Sequence, residues 1–144
     1  MKTVTTFDYK SDQLTQADSE ESPRLLDPQE KGGRIRFVKF SATAAASANE
    51  TLELVRLERS ATIISGAIVL ADLGAGTVDI GTDDGTTADP DAIASALADA
   101  QAHVLPEAVG YTPISLSSGG VVYATFSAAA AGAISGYLLY VENS

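Results

Sequence analysis

Cysteine is absent from the chain, which excludes disulfide frameworks, thiolate metal sites and thiol nucleophiles. Tryptophan is absent too and the remaining aromatics are few, so the core must be built mostly from Val, Ile, Leu and the abundant Ala. Packing that is thin per residue makes contacts between copies a plausible extra source of stability. Basic residues are missing from a whole region: all nine Lys and Arg lie between Lys2 and Arg59, and Ser60 to Ser144 contains none. That second stretch holds Asp72, Asp79, Asp83, Asp84, Asp89, Asp91, Asp99, Glu107 and Glu142, and so carries most of the formal net charge of −10. Such a field repels phosphates and argues against direct nucleic-acid binding by the body of the protein.

The opening MKTVTTFDYKSDQLTQ has no apolar run behind its lysine, so no signal peptide is expected and the reading places the protein in the cytoplasm or in something assembled there. Val121 to Val141 is free of charge and long enough to suggest a membrane span. Its Ala, Ser, Gly and Thr content and the lack of flanking bases argue instead for strands at VVYATF and YLLYV.

Met1 to Gly33 is polar, broken by Pro23, Pro28 and Gly32-Gly33, and carries no apolar period. Ordering a backbone costs roughly 1 to 2 kcal/mol per residue, so this arm needs something to lie against, and a partner subunit is the expected support. Extended, it reaches on the order of 100 Å. Phe7, Tyr9, Leu14, Leu25 and Leu26 are its candidate anchors.

From Arg34 the pattern changes. RIRFVKFSAT alternates with apolar residues on both faces, as in a strand covered on both sides or one that meets a neighbouring subunit. Ala44 to Asn49 is expected to be a connector. TLELVRLE alternates again, with a helix as the other possibility. Ala61 to Ala71 is the clearest strand, with Gly66 marking a bulge or a close approach of backbones. Thr77 to Gly81 is expected to pair back with Val78 and Ile80 inward, followed by a loop, TDDGTTADPD. Asp89-Pro90 has the form of a helix start, and Ile93, Leu97, Ala100 and Val104 fall on one face of a helix of about three turns. Ile114 to Leu116, Gly120 to Ala128 and Ile134 to Glu142 then read as strands, the last two as a hairpin through AAAAGA.

No catalytic constellation emerges. Asp72 to Asp79, DLGAGTVD, resembles the phosphate-gripping hairpin of the actin, sugar-kinase and chaperone ATPases, but the match stops after eight residues and no further nucleotide motif accompanies it. Asp79 stands where a dinucleotide fingerprint needs its third glycine. Asp83, Asp84, Asp89 and Asp91 depart from calcium-loop spacing and read as a solvated loop with a helix cap. His103, the single histidine, has no partner at a recognised spacing.

The succession ATIISGAIVLADLGAGTVDIGTDDGTTADPDAI, then ASALADAQAHV, then a closing LLYVEN is similar to the small β-rich structural proteins of tailed-bacteriophage heads, over about three quarters of the chain. The resemblance implies a mainly β protein: an antiparallel β-sandwich, jelly-roll-like, with one short helix, formed by residues 34–144 behind an extended N-terminal arm, residues 1–33. It further implies a capsid decoration, or cement, protein with no enzymatic activity, cofactor or metal. Such a protein binds the outside of the head and clamps neighbouring major capsid subunits. Copies would form a homo-oligomer around a symmetry axis, with a trimer favoured, without direct contact to nucleic acid or membrane. It would be made in the host cytoplasm and carried on the capsid surface of the virion. Arg24, Arg34, Arg36 and Lys39 are the natural partners for acidic capsid patches, beside the apolar anchors of the arm. Two other classes fit the same scaffold. One is a head fibre or glycan-binding module, for which Tyr111 is the one loop aromatic; the other is a small lyase or hydrolase with convergent carboxylates in a pocket.

Overall fold

The computed structural model describes residues 7–12, 14, 35–74, 76–107, 110 and 112–142. Among the described residues ten strands follow in chain order: β1 Tyr9–Lys10, β2 Ile35–Ala46, β3 Thr51–Leu57, β4 Ala61–Leu70, β5 Thr77–Asp83, β6 Ala88–Ala98, β7 Gln101–Leu105, β8 Ile114–Leu116, β9 Gly120–Phe126 and β10 Ala130–Glu142. They form two sheets packed face to face. Sheet I has the order β1-β3-β9-β5-β6, and sheet II the order β2-β10-β4-β7, with β8 on β4 as well. Every ladder is antiparallel except the short pairing of β1 with β3. The expected antiparallel β-sandwich is therefore what forms.

Alternation explains the core. On β2 the inward series Phe40, Ala42, Ala44 and Ala46 is buried, and on β10 so are Ile134 and Leu138. Sheet I answers with Leu52, Leu54, Val78, Ile80, Ile93 and Phe126, all 2% exposed or less. Gly66 has the close approach expected of it: a Cβ there would lie 2.6 Å from the Tyr137 carbonyl oxygen and 2.7 Å from Leu138 Cδ2. The run Ala44 to Ala46, expected in a connector, continues β2 instead. Alanine has little strand preference of its own. Here the unbroken ladder to β10 and the burial of Ala44 and Ala46 decide its state.

The expected helix over residues 93–104 does not form. Those residues make β6, a tight turn and β7. The ladder between β5 and β6 slips twice, between Val78 and Ile80 and again between Ile80 and Thr82. Each bulge breaks the period of two, which leaves Ile93, Ala94 and Leu97 all facing inward with the spacing of a helix face. Pro90 is tolerated because β6 is the edge of sheet I, where no ladder bond needs its missing N–H. Asp89 caps no helix but sits opposite Thr82 in the ladder.

Three connections also differ from expectation. β5 does not pair back on β4, since the two lie in different sheets. The loop expected over TDDGTTADPD shrinks to its middle, because Asp83 ends β5 and Ala88 begins β6. The hairpin expected through AAAAGA is absent: β9 belongs to sheet I and β10 to sheet II. Each crossing lets consecutive strands bury their inner faces against one another across the sandwich rather than beside one another in one sheet.

Candidate partner-binding surface

Residues 7–12 are bound to the sandwich. Asp8 N–H donates to the Thr51 carbonyl (3.2 Å) and Ser11 N–H to that of Glu53 (2.6 Å), which adds β1 to the edge of sheet I. The Asp8 carboxylate accepts from Thr51 N–H at 2.9 Å and from the Thr51 hydroxyl at 3.2 Å. Phe7 packs on Tyr123 with ring centroids 5.2 Å apart. Asp12 reaches the other sheet, where its carboxylate accepts from the Ser41 hydroxyl at 2.9 Å. Between this strap and the β2 edge lies a cleft of about 260 Å³, lined by Tyr9, Lys10, Asp12, Thr43, Ala44, Ala46, Leu52 and Phe126. The partners of residues 7–12 are thus on their own chain.

The outer face of sheet II is of a different kind. Register places Lys39, Tyr137, Ala67 and Val104 in one row across β2, β10, β4 and β7. Phe37, Leu139 and Ser65 form the row on one side, and Ser41, Ser135, Val69 and Ala102 the row on the other. Ile35, Phe37, Val69 and Val104 are 63%, 58%, 50% and 59% exposed, and Tyr137 is 37% exposed. With Tyr9 these are the large apolar side chains that stand exposed among the described residues, and five of the six share this one face. Phe37 and Tyr137 stack on each other, centroids 5.3 Å apart at 26°. Lys39 is the one charged side chain on the outward positions of these strands among the described residues.

The motifs that suggested chemistry hold the fold together. The Asp99 carboxylate accepts from the amides of Leu73 (3.0 Å) and Gly74 (3.1 Å), so the Gly turn likened to a phosphate grip already holds an anion of its own chain. Buried Asp83 accepts from Gly85 N–H at 2.9 Å, and Asp84 from those of Thr86 and Thr87 at 2.8 and 2.7 Å. The amides of Thr87 and then Thr86 hold the Asp84 carboxyl below its ordinary range. Asp91 is shifted the other way, chiefly by a hydrogen bond with Asp89, then by slight loss of hydration and by the charges of Asp89 and Asp79. His103 lies on β7 opposite Ile68 and donates from Nε2 to the Ala98 carbonyl at 2.7 Å. Among the described residues no cluster of His, Asp and Glu is arranged to hold a metal, and no helix is long and apolar enough to cross a membrane.

Of the residues singled out in the sequence, Phe7 and Tyr9 sit on the sheet I edge, and half-buried Leu14 follows with its N–H 3.4 Å from the Ser11 hydroxyl. Arg36 points inward at one end of the sandwich and pairs with Glu142 at 3.4 Å. Tyr140 lies alongside, its phenol pushed up by burial and then by the Glu142 charge, against the opposing effect of Arg36. Lys39 stands on the apolar face. Arg24, Leu25, Leu26 and Arg34 lie outside the described residues, as does Tyr111. Tyr137, Val69 and Val104 were not anticipated as surface residues. For β10 the signal was there: Tyr137, Leu139 and Val141 alternate with Leu138 and Tyr140, which makes the strand apolar on both faces.

No protein family model matches the chain, and no curated protein does. Two solved structures contain chains of the same fold. One is the capsid of Ralstonia phage GP4, with a TM-score of 0.62 and 16% identity, the match covering 84% of this chain and 92% of that one. The other is the cyanophage Pam1 capsid asymmetric unit, with a TM-score of 0.55 and 12% identity, covering 84% of this chain and 94% of that one. At these identities the likeness is one of fold, and it runs over nearly the whole length of both partners.

Proposed function

We propose that the protein is a structural component of a phage virion, and specifically a decoration protein. It binds the outer surface of the head and stabilises it by bridging neighbouring major capsid subunits. The observation that carries this reading is the near full-length likeness in fold to chains of two phage capsid structures. Strand order adds support. Leaving out β1, the sheets read β2-β10-β4-β7 and β3-β9-β5-β6, with the chain passing repeatedly from one to the other, as in the two Greek keys of a jelly roll.

In this reading the protein is no enzyme and needs no cofactor. Copies associate as a homo-oligomer, taken here as a trimer, after synthesis in the host cytoplasm. The part of the arm beyond residue 12 supplies the grip, with Leu25 and Leu26 as apolar anchors and Arg24, Arg34 and Lys39 facing acidic capsid patches. Each such contact is weak, and several acting from one oligomer raise the effective concentration of the rest. The test uses heads lacking the protein, to which purified protein is added back before heating. Genome release should move to higher temperature, and Leu25→Asp with Leu26→Asp should abolish much of the gain. An unchanged release temperature with wild-type protein bound refutes the stabilising role, and absence of binding refutes the decoration role itself.

A further inference from the structure

We infer that the outer face of sheet II is where copies of this chain meet. This deepens the reading above, which requires a homo-oligomer but assigns it no face. Five of the six large apolar side chains exposed among the described residues lie on this face, and Phe37 and Tyr137 are already stacked, so little side-chain freedom is lost when it is covered.

Charge selects the occupant. The chain carries −10 overall, with nine acids and no base after Arg59, so two copies repel one another over most of their surfaces. The outward positions of β2, β10, β4 and β7 carry no acid at all, and Lys39 is their one charge. It is here that a second copy can approach with no described carboxylate nearer than Asp12 at the rim. The rim adds complementarity, since Asp12 is hydrogen-bonded to Ser41, which shares the face with Lys39 two residues away.

Area sets the strength. Four strands about 4.8 Å apart, crossed by four rows about 6.8 Å apart, give on the order of 500 Å² per copy. A stable interface takes about 800 Å² per partner. The face alone therefore supports a reversible association that depends on concentration, and repulsion between the acidic bodies makes it tighter at high salt, the opposite of an interface held by charge pairs.

Sedimentation velocity on the full chain between about 5 and about 200 µM, at about 0.05 and about 0.5 M salt, tests this. Wild-type protein should assemble with rising concentration, more readily at the higher salt, and Phe37→Glu or Val104→Glu should weaken assembly by roughly tenfold or more. Because the chain has no cysteine, Val69→Cys and Val104→Cys give a second measurement that needs no disruptive charge. Their thiols should be protected from a maleimide at high concentration and open at low, while the thiol of Asp91→Cys should react equally at both. Assembly that is unaffected by either Glu substitution overturns the face but leaves the homo-oligomer standing. A monomer at every concentration overturns both, with the head-binding test still separate. Thiols protected only on phage heads overturn the assignment to a second copy and give the face to the capsid.

Discussion

The two outer faces of the sandwich have been treated in opposite ways. Over sheet I the chain covers itself: Phe7 lies on Tyr123, and the bulged part of β6 passes so close to Gly81 that a Cβ there would sit 2.5 Å from Pro90 backbone atoms. Tyr123 and Val121, which point outward from the middle strand, are only 2% and 0% exposed. The same surface carries charge, with Glu53 paired to Arg56 on β3 and Asp79 accepting from the Ala96 amide at 2.7 Å. Over sheet II no described segment lies on Phe37, Val69 or Val104, and among the described residues charge is confined to Lys39 and, at the rim, to Asp12 on Ser41. A sandwich needs only its inner faces to fold. A face closed by its own chain contributes to stability, whereas an open apolar one is a cost in water that association removes.

The largest effect should come from breaking the self-cover. Gly81→Val forces β6 away from β5 and should cost about 3 kcal/mol, at the upper end of overpacking changes, measured by urea unfolding. If stability is unchanged, the bulge is not closed over Gly81. Phe7→Ala comes next. It removes one aromatic pair and should cost about 1 kcal/mol, with amide exchange of Ser11 and the β3 edge rising faster than that of the core. Equal protection in the variant would mean that the strap is held by its backbone bonds alone.

The smallest effect is electrostatic and has opposite signs at two carboxylates, Asp91 and Asp84. Asp91 is raised in the folded chain, chiefly by Asp89, so its contribution favours folding below the unfolded pKa and is lost as pH rises through the folded one. Asp91→Asn should therefore raise Tm near neutral pH, with the gain fading on acidification. Asp84 is lowered by the amides of Thr87 and Thr86, so its contribution is present above the unfolded pKa and is lost as pH falls through the folded one. Asp84→Asn should lower Tm at neutral pH and converge with wild type in acid. Melting curves from about pH 3 to about pH 8 separate the two, and a shift of the same sign at both positions would contradict the loop geometry.

Where the sequence reading succeeded, the signal was local. Thr51–Leu57 and Ala61–Leu70 showed their alternation and β-branched content directly, and Val78 and Ile80 are as buried as their spacing implied. Where it failed, a neighbour had overridden the local pattern. Asp89-Pro90 and Ile93, Leu97 and Val104 satisfy a helix in isolation, but the open edge of β5 captures the segment as a bulged strand. The apolar character of both faces of RIRFVKFSAT was visible, and with it the prospect of a neighbouring subunit. That Phe37 would be joined by Tyr137, Val69 and Val104 was not, because those residues are brought together from distant parts of the chain.

The amino-acid sequence by itself determined a β-rich, cysteine-free, acidic protein with its bases confined to one end, because composition, charge and period-two alternation are properties of short segments. Only the tertiary structure decided which strand lies beside which, that residues 7–12 strap the edge of sheet I, and that one face is apolar and exposed among the described residues. Those outcomes depend on pairings such as Val141 with Ile35 and Val69 with Ala102, whose free energy exists only once remote segments share a sheet.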